Sequence, residues 1–131
     1  MKIIKLFSLA MLMWSLSSTG AMAEDLGMVA YKKNNYLYAF NSDGRTILDG
    51  VYGVSQVELG RDLIAYTKNN YLYVLSAEGR TIVDGAYGVS EFKVGTHLVA
   101  YIKNKYLYVI NSDGRIIVDG EYGATDYELS P

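Results

Sequence analysis

The stretch Lys33–Gly53, KNNYLYAFNSDGRTILDGVYG, decides the fold because the chain repeats it. It returns 35 residues later as KNNYLYVLSAEGRTIVDGAYG and 70 residues later as KNKYLYVINSDGRIIVDGEYG. Residues 31–65 and 66–100 are identical at 20 of 35 positions. A period of this length marks a repeat architecture, in which each unit is one supersecondary piece that buries its apolar face only against its neighbours.

The repeat predicts a single all-β domain over residues 24–131, with units 28–62, 63–97 and 98–131. Each unit opens with two short segments rich in aromatic and branched side chains, such as LVAYIK and YLYVIN in the third. A third strand of the RTILD type and a fourth of the SQVELG type complete the unit. The sequence therefore predicts three four-strand units, which make twelve strands, and no helix in this domain.

Two kinds of turn separate the predicted strands. The first is a two-residue polar link, at Asn34-Asn35, Asn69-Asn70 and Asn104-Lys105. Asparagine tolerates positive φ, which a type I′ hairpin turn requires. The second turn carries an acid followed by glycine, which is a strong hairpin signal. The D-G-x-Y-G segment after the third strand contains two glycines and is predicted to be an irregular loop.

Three short motifs recur in every unit: a Tyr-Leu pair that opens the second strand, an acid-Gly turn, and a final strand with two alternating apolar residues. In the third unit they are Tyr106-Leu107, Asp113-Gly114 and Tyr127-Glu128-Leu129. This pattern resembles β-trefoil proteins of the fascin, fibroblast-growth-factor and lectin kind, and the resemblance covers the whole of 24–131. It implies three four-strand units closed around a threefold axis.

Two other families are also similar. The segments LYAFNSDGR and LYVLSAEGR resemble the strand and turn of quinoprotein-type β-propeller blades. The third unit, with Tyr122 beyond its hairpin, is similar to WG-type repeats but lacks their Trp-Gly pair. A propeller needs at least about four blades, so three would remain open or share a ring with another chain. The sequence therefore favours a β-trefoil-like fold and leaves a three-bladed open, or oligomer-completed, propeller-like array as the alternative.

The N-terminal residues predict a signal peptide, 1–23, that is removed after Ala23. Lys2 and Lys5 precede an apolar run, and the triplet Ala21-Met22-Ala23 provides an A-x-A cleavage site. The apolar run, residues 6–16, is shorter than the roughly 20 apolar residues that a membrane span needs. We therefore expect a periplasmic or secreted protein that has no membrane span after cleavage.

Composition narrows the functions to consider. Ten basic and 14 acidic residues follow Ala23, and they are scattered without a basic stripe, which argues against nucleic acid and anionic membranes as partners. The chain has no cysteine and one histidine, His97, which the repeat does not copy and which we interpret as a solvated turn residue. No nucleophile, base or metal-ligand constellation is visible, so we expect neither an enzyme nor a bound cofactor or metal.

The D-G-x-Y-G segments supply the candidate ligand-binding residues, which are Asp49, Tyr52, Asp84, Tyr87, Asp119 and Tyr122. Tyrosine rings stack on the apolar faces of sugars, and carboxylates accept the protons of their hydroxyl groups. Carbohydrate-binding trefoils are similar in plan, with up to one site per repeat. A carbohydrate-binding module is therefore the first functional expectation, although capping of a loop by aspartate would also explain these residues.

The second strand of each unit supplies a second candidate surface. Leu37, Leu72 and Leu107 alternate with tyrosines, so the leucines are predicted to face the core and the tyrosines the opposite side. The tyrosines of that face are Tyr36, Tyr38, Tyr71, Tyr73, Tyr106 and Tyr108. Tyrosine is enriched at protein interfaces, so the alternative expectation is a protein-interaction or assembly protein, which could be an oligomer.

Overall fold

The computed structural model describes residues 27–131, which form eleven strands in three antiparallel sheets. The predicted signal peptide, 1–23, lies outside the described residues. An all-β repeat structure is confirmed over the described range. Among these residues, no helix is both long and apolar enough to cross a membrane. The predicted twelfth strand is wrong, because residues 124–131 follow the last strand without pairing in any sheet.

The first sheet has three strands in the order β1-β2-β3. Its strands are β1 (Met28–Lys33), β2 (Tyr36–Asn41) and β3 (Thr46–Tyr52).

The second and third sheets have four strands each, in the orders β4-β5-β6-β7 and β8-β9-β10-β11. The second sheet consists of β4 (Val54–Leu59), β5 (Leu63–Lys68), β6 (Tyr71–Ser76) and β7 (Thr81–Tyr87). The third consists of β8 (Val89–Val94), β9 (Leu98–Lys103), β10 (Tyr106–Asn111) and β11 (Ile116–Tyr122). Each sheet is an up-and-down meander of strands that are consecutive in the sequence.

The predicted hairpin turns are confirmed. Both residues of each two-residue link have positive φ, for example 54° at Asn69 and 68° at Asn70, as a type I′ turn requires. At the other end of the hairpin, the buried Asn41 side chain accepts hydrogen bonds from the backbone N–H groups of Asp43 and Arg45 and so shapes the turn. These turns fix the register of β1 on β2, of β5 on β6 and of β9 on β10.

The sheets are one strand out of phase with the predicted units. The SQVELG strand, β4, pairs with β5 of the following unit and does not close its own. Only Gly53 separates β3 from β4, and one residue is too short for the loop of an antiparallel hairpin. The longer link between β4 and β5 allows a hairpin, in which the Gly60 backbone N–H donates to the Leu63 carbonyl at 2.8 Å.

The β-trefoil prediction is not confirmed. The strands of a trefoil pair into one closed barrel, whereas the described residues form three separate open sheets. The sheets meet instead through side chains. One buried cluster joins Leu37 of the first sheet to Ile64 of the second, and another joins Leu72 of the second to Val99 of the third. The core therefore lies between successive faces of stacked sheets.

The two faces of a strand contact different neighbours. In β5, Ile64 and Tyr66 belong to the cluster shared with the first sheet, whereas Leu63 and Ala65 belong to the cluster shared with the third. All four are buried, which is why β5 is a nearly continuous apolar run. The predicted burial of the leucines of the second strand is confirmed for Leu37, Leu72 and Leu107.

Candidate functional site

The D-G-x-Y segments are strands, so the prediction that they form irregular loops is wrong. Asp49 to Tyr52 form the second half of β3, and the copies do the same in β7 and β11. The register shifts at Gly50, because Leu37 stands opposite Val51 whereas Tyr38 stands opposite Asp49. Gly50 has φ of 90°, so the first glycine makes a β-bulge rather than a loop.

This bulge brings the two sets of candidate residues together. Asp49 and Tyr52 are three residues apart and would face opposite sides of a regular strand. With the extra residue between them, Tyr52 stands opposite Tyr36 and Asp49 opposite Tyr38, so all four share one face of the sheet. The same pairings recur at Asp84, Tyr87, Tyr71 and Tyr73, and at Asp119, Tyr122, Tyr106 and Tyr108.

One tyrosine pair in each sheet is exposed. The rings of Tyr71 and Tyr87 lie 5.0 Å apart at an angle of 58°, and the other two pairs have centroid distances of 5.2 Å. Tyr87 is 56% exposed and Tyr122 is 63% exposed. Each pair lies next to the Asn turn, since the N–H of Gly88 donates to the Asn70 carbonyl. The tyrosine pairs are therefore accessible to a ligand, and they are Tyr36–Tyr52, Tyr71–Tyr87 and Tyr106–Tyr122.

The other tyrosines of the second strand are half-buried, so only part of the predicted tyrosine face is exposed. Tyr73 stacks on Tyr66 at 5.2 Å and packs against the cluster that the second sheet shares with the first. Tyr108 stacks on Tyr101 at 5.2 Å and packs in the same way at the next junction. In the second and third sheets, the half-buried tyrosines of this face therefore pack at the junction with the preceding sheet. The stacking partners were missed from the sequence, although their 35-residue spacing was a signal.

Burial of the stacked tyrosines has a consequence at high pH. Burial raises the pKa of Tyr66 above its ordinary value of 10.0, and the neighbouring Tyr73 and the charge of Asp84 raise it further. Tyr101 is affected in the same way by burial, Tyr108 and Asp119.

We expect the contribution of Tyr66 and Tyr101 to the free energy of unfolding to be fully present below about pH 10 and to fall as the pH rises through their raised pKa values. The unfolded chain releases these protons near the ordinary tyrosine pKa of about 10, whereas the folded protein retains them. Urea unfolding midpoints measured between neutral and strongly alkaline pH would detect the fall. The variant Tyr66→Phe/Tyr101→Phe should have a shallower dependence, and an unchanged slope would contradict this explanation.

A cavity of about 300 Å³ opens beside the third tyrosine pair. Its lining includes Tyr122, Ile102, Lys105 and Glu91, together with residues 123–125. The volume lies at the lower end of the range for small-molecule sites. An aromatic ring, an aliphatic side chain and both signs of charge meet there. Lys105 and Glu91 were not among the residues predicted from the sequence, because the repeat does not preserve their charges in all units. The copies of Lys105 are Asn35 and Asn70, and one copy of Glu91 is Gln56.

The interpretation of His97 as a solvated turn residue is incomplete, because its side chain also contacts a buried aspartate. Its Nδ1 lies 2.5 Å from Oδ2 of Asp62, which is 35 residues earlier and buried, while the His97 side chain is half-exposed. The contact ties the link before β5 to the link before β9. Among residues 27–131, no group of three or more His, Asp or Glu side chains lies close enough together to hold a metal ion.

Comparison with known proteins gives little beyond this geometry. No family model matches the chain, and no curated protein matches it. Among solved structures, the crystal structure of the N-terminal domain of Nup159 is similar at a TM-score of 0.41 and 15% identity. The match covers 76% of this chain and 30% of that one, so this chain spans less than a third of the length of its match. Fold and function are therefore argued from this chain's own strands and side chains.

Proposed function

We propose that this chain is an exported, non-catalytic binding module that recognises carbohydrate through its three tyrosine pairs. The observation that carries the proposal is that each sheet presents an exposed tyrosine pair with a carboxylate on the same face, at Asp49, Asp84 and Asp119. The proposed location, in the periplasm or outside the cell, rests on the N-terminal sequence alone.

The geometry of a tyrosine pair suits a sugar ring. Two rings about 5 Å apart and steeply inclined offer one aromatic face for stacking and a second ring as a wall. The adjacent exposed carboxylate accepts hydrogen bonds from hydroxyl groups. Each site is shallow, so binding to a polymer would depend on several sites acting together. The third site, with its cavity, is the one we expect to bind a single sugar residue best.

We further infer that the sheets form a propeller-like array of blades, in place of the expected trefoil. The supporting observations are that each sheet is a meander of consecutive strands and that successive sheets pack face to face. In such an array equivalent positions lie side by side around the stack. The tyrosine pairs would then form a row, which is the arrangement that a polysaccharide chain can follow.

The proposal predicts that Tyr52→Ala/Tyr87→Ala/Tyr122→Ala lowers affinity for a bound polysaccharide by at least about tenfold, since each lost stacking contact is worth about 1 kcal/mol. The measurement is binding of the protein, purified from an exporting host, to a panel of glycans and cell-wall polysaccharides. Asp84→Ala should weaken the same binding.

The matched control is Tyr52→Phe/Tyr87→Phe/Tyr122→Phe, which keeps the rings and should keep most of the affinity. The phenylalanine variant should unfold at nearly the same temperature as the parent, because it keeps the ring pairs. The alanine variant loses three ring contacts and should unfold at a lower temperature, but it should remain folded at the temperature of the binding assay because the replaced side chains are more than half exposed. A panel without any binder would contradict carbohydrate recognition. An alanine variant that is unfolded at the assay temperature would show that the pairs are structural.

A second candidate is an interaction or assembly protein. The observation that favours it is an uncovered part of the tyrosine face. Tyr31 and Tyr38 of the first sheet stack at 5.4 Å like their copies, but Tyr31 is 48% exposed whereas Tyr66 is 7% exposed. No preceding sheet covers the first one among the described residues. This surface lies on the same face of the first sheet as the Tyr36–Tyr52 pair. The copies of that pair, Tyr71 and Tyr87, stay exposed beside the covered Tyr66, so a partner could bind the surface without covering the tyrosine pairs.

A further inference from the structure

The first sheet lacks a strand that the other two possess. β5 is paired on one side with β4, and β9 with β8, before each continues into its hairpin. β1 occupies the same place in its sheet as β5 and β9, but within residues 27–131 it pairs only with β2. No strand of that range pairs with the backbone groups of its outer edge, an arrangement that favours the addition of another strand.

The C-terminal residues are a further copy of the strand that the first sheet lacks. Residues 124–129 follow β11 as β4 follows β3 and β8 follows β7, at the same 35-residue spacing. They pack on the third sheet through Tyr127 and Leu129, as Phe92 of β8 packs on the second. Among the described residues they pair with no strand, because no fourth sheet follows.

This C-terminal segment, 124–130, is held in place for pairing. The Thr96 backbone N–H donates to the Ser130 carbonyl at 2.8 Å, and Lys93 Nζ donates to the Tyr127 carbonyl at 3.0 Å. Lys93 also lies 4.4 Å from the centre of the Tyr127 ring. The segment thus contacts β8 and the link after it, while no strand of residues 27–131 pairs with its other edge.

We propose that the C-terminal segment of one copy completes the first sheet of a second copy by pairing with its β1. The two internal junctions predict the register, because Leu59 pairs with Ile64 and Val94 with Val99. Leu129 is the copy of Leu59 and Val94, and Val29 is the copy of Ile64 and Val99, so the same register sets Leu129 of one copy opposite Val29 of the other. By the same equivalence, Tyr127 stands opposite Tyr31, and Asp126 opposite Lys32.

The exposure of side chains on both surfaces supports this junction. Val29 is 55% exposed, whereas its copies Ile64 and Val99 are 0% exposed at the internal junctions. On the last sheet, Ile117 is 53% exposed, whereas its copy Ile47 is 9% exposed where the first sheet meets the second. In the part of the chain that the structure describes, the first sheet lacks a neighbour on one face and the last sheet lacks one on the other. Stacking the last sheet of one copy on the first of the next would cover both.

Charge distinguishes the proposed junction from the internal ones. Asp126 would stand directly opposite Lys32, and opposite charges at such positions stabilise antiparallel pairs. The equivalent internal pairs, Gln56 with Thr67 and Glu91 with Ile102, have no opposite charges. A charge pair confined to the terminal junction favours joining the last unit to the first.

The number of sheets predicts a closed dimer. The described residues of each copy contribute three sheets, so two copies joined head to tail at both ends bring together six. Closed propellers typically have about 4–8 blades, which admits six but neither three nor nine. This assembly makes specific the second candidate function, on which it rests, and it does not depend on carbohydrate recognition.

The first test is the mass of the protein in solution. Light scattering coupled to gel filtration, over roughly a hundredfold range of concentration, should find a dimer that dissociates on dilution. Val29→Glu should weaken the dimer at least about 100-fold, because an exposed charge would become buried at the junction. The matched control is Ile116→Glu, since Ile116 is also 55% exposed but its copies, Thr46 and Thr81, are exposed at the internal junctions too.

The second test measures the register. The chain has no cysteine, so a Val29→Cys chain mixed with a Leu129→Cys chain can form only the disulfides introduced. Directly opposite, non-hydrogen-bonded antiparallel residues have Cα atoms about 4.5 Å apart, which suits a disulfide. We expect a crosslinked heterodimer from this mixture. Thr125→Cys in place of Leu129→Cys is the out-of-register control, and it should give little crosslinked heterodimer.

The outcomes separate this proposal from carbohydrate binding. A dimer that is lost in Val29→Glu, retained in Ile116→Glu and crosslinked in the predicted register supports strand exchange between copies. A monomer at every concentration, including one in which another part of the same chain covers β1, overturns it. Equal crosslinking by the Thr125→Cys control also overturns it. Glycan binding should persist in Val29→Glu, so loss of one property does not imply loss of the other.

Discussion

Replacing Leu72 by alanine is expected to lower the free energy of unfolding by about 4 kcal/mol, within the range for a fully buried leucine. Leu72 is 0% exposed and belongs to the cluster formed by Val74, Phe92 and Val99 between the second and third sheets. The truncation removes apolar contacts and leaves a cavity that neighbouring strands, fixed by their pairing, fill only partly. Urea unfolding at a fixed protein concentration measures the loss.

Leu59→Ala is the matched control for this prediction. Leu59 is also a strand leucine, in β4, but it is 40% exposed. The same truncation there should lower the free energy of unfolding by less than about 1 kcal/mol. A similar loss for both variants would indicate that the face-to-face packing of the second and third sheets does not support the fold. The protein concentration is held constant because an assembling protein has concentration-dependent stability.

The elements that local chemistry determines could be predicted from the sequence. Alternation in YLYVL identifies Leu72 and Val74 as core residues, since successive strand residues face opposite sides. The Asn69-Asn70 link predicts its hairpin because few residue pairs adopt two successive positive φ angles. Each of these features depends on a few adjacent residues, so it does not require knowledge of the neighbouring sheets.

The phase of the sheets could not be read from the repeat itself. A four-strand repeat has the same 35-residue period whichever strand is counted as the first. The repeat alone therefore does not tell whether β4 pairs in the sheet of β3 or in the sheet of β5. Linker length was the available signal, since the single residue Gly53 cannot form a hairpin loop whereas the link before Leu63 can.

The sequence could predict which residues are candidates for the site, but it could not predict how they are arranged. Two glycines in D-G-V-Y-G suggested a loop, although Gly50 supplies a bulge within a strand and Gly53 supplies the turn after it. The bulge changes which side chains share a face, so Asp49 and Tyr52 join Tyr36 only once the register is known. The burial of Tyr73 was likewise missed, because it depends on a neighbouring sheet distant in sequence.

Replacing Gly60, in the link after β4, by alanine is expected to lower the free energy of unfolding by about 3 kcal/mol. A Cβ on Gly60 would lie 2.6 Å from Cγ1 of Val94 and 2.8 Å from the carbonyl oxygen of Gly95. These atoms belong to the end of β8 and the link that follows it. The second and third sheets would have to separate there, and overpacking of this kind typically costs 1 to about 3 kcal/mol. Urea unfolding would again measure the loss.

The copy of this glycine gives a control that also tests the assembly. A Cβ on Gly95 would lie 2.5 Å from the Ser130 carbonyl oxygen and 2.8 Å from Cβ of Leu129, which belong to the C-terminal segment. Because that segment pairs with none of the eleven described strands, it can move aside. Gly95→Ala should therefore lower the free energy of unfolding by less than Gly60→Ala does, but it should displace the segment that joins copies. Gly27→Ala, with no atom within 4 Å of the added carbon, should change neither property. Equal stability losses at Gly60 and Gly95 would mean that the C-terminal segment is as firmly integrated as β8, and a dimer undisturbed by Gly95→Ala would mean that copies join elsewhere.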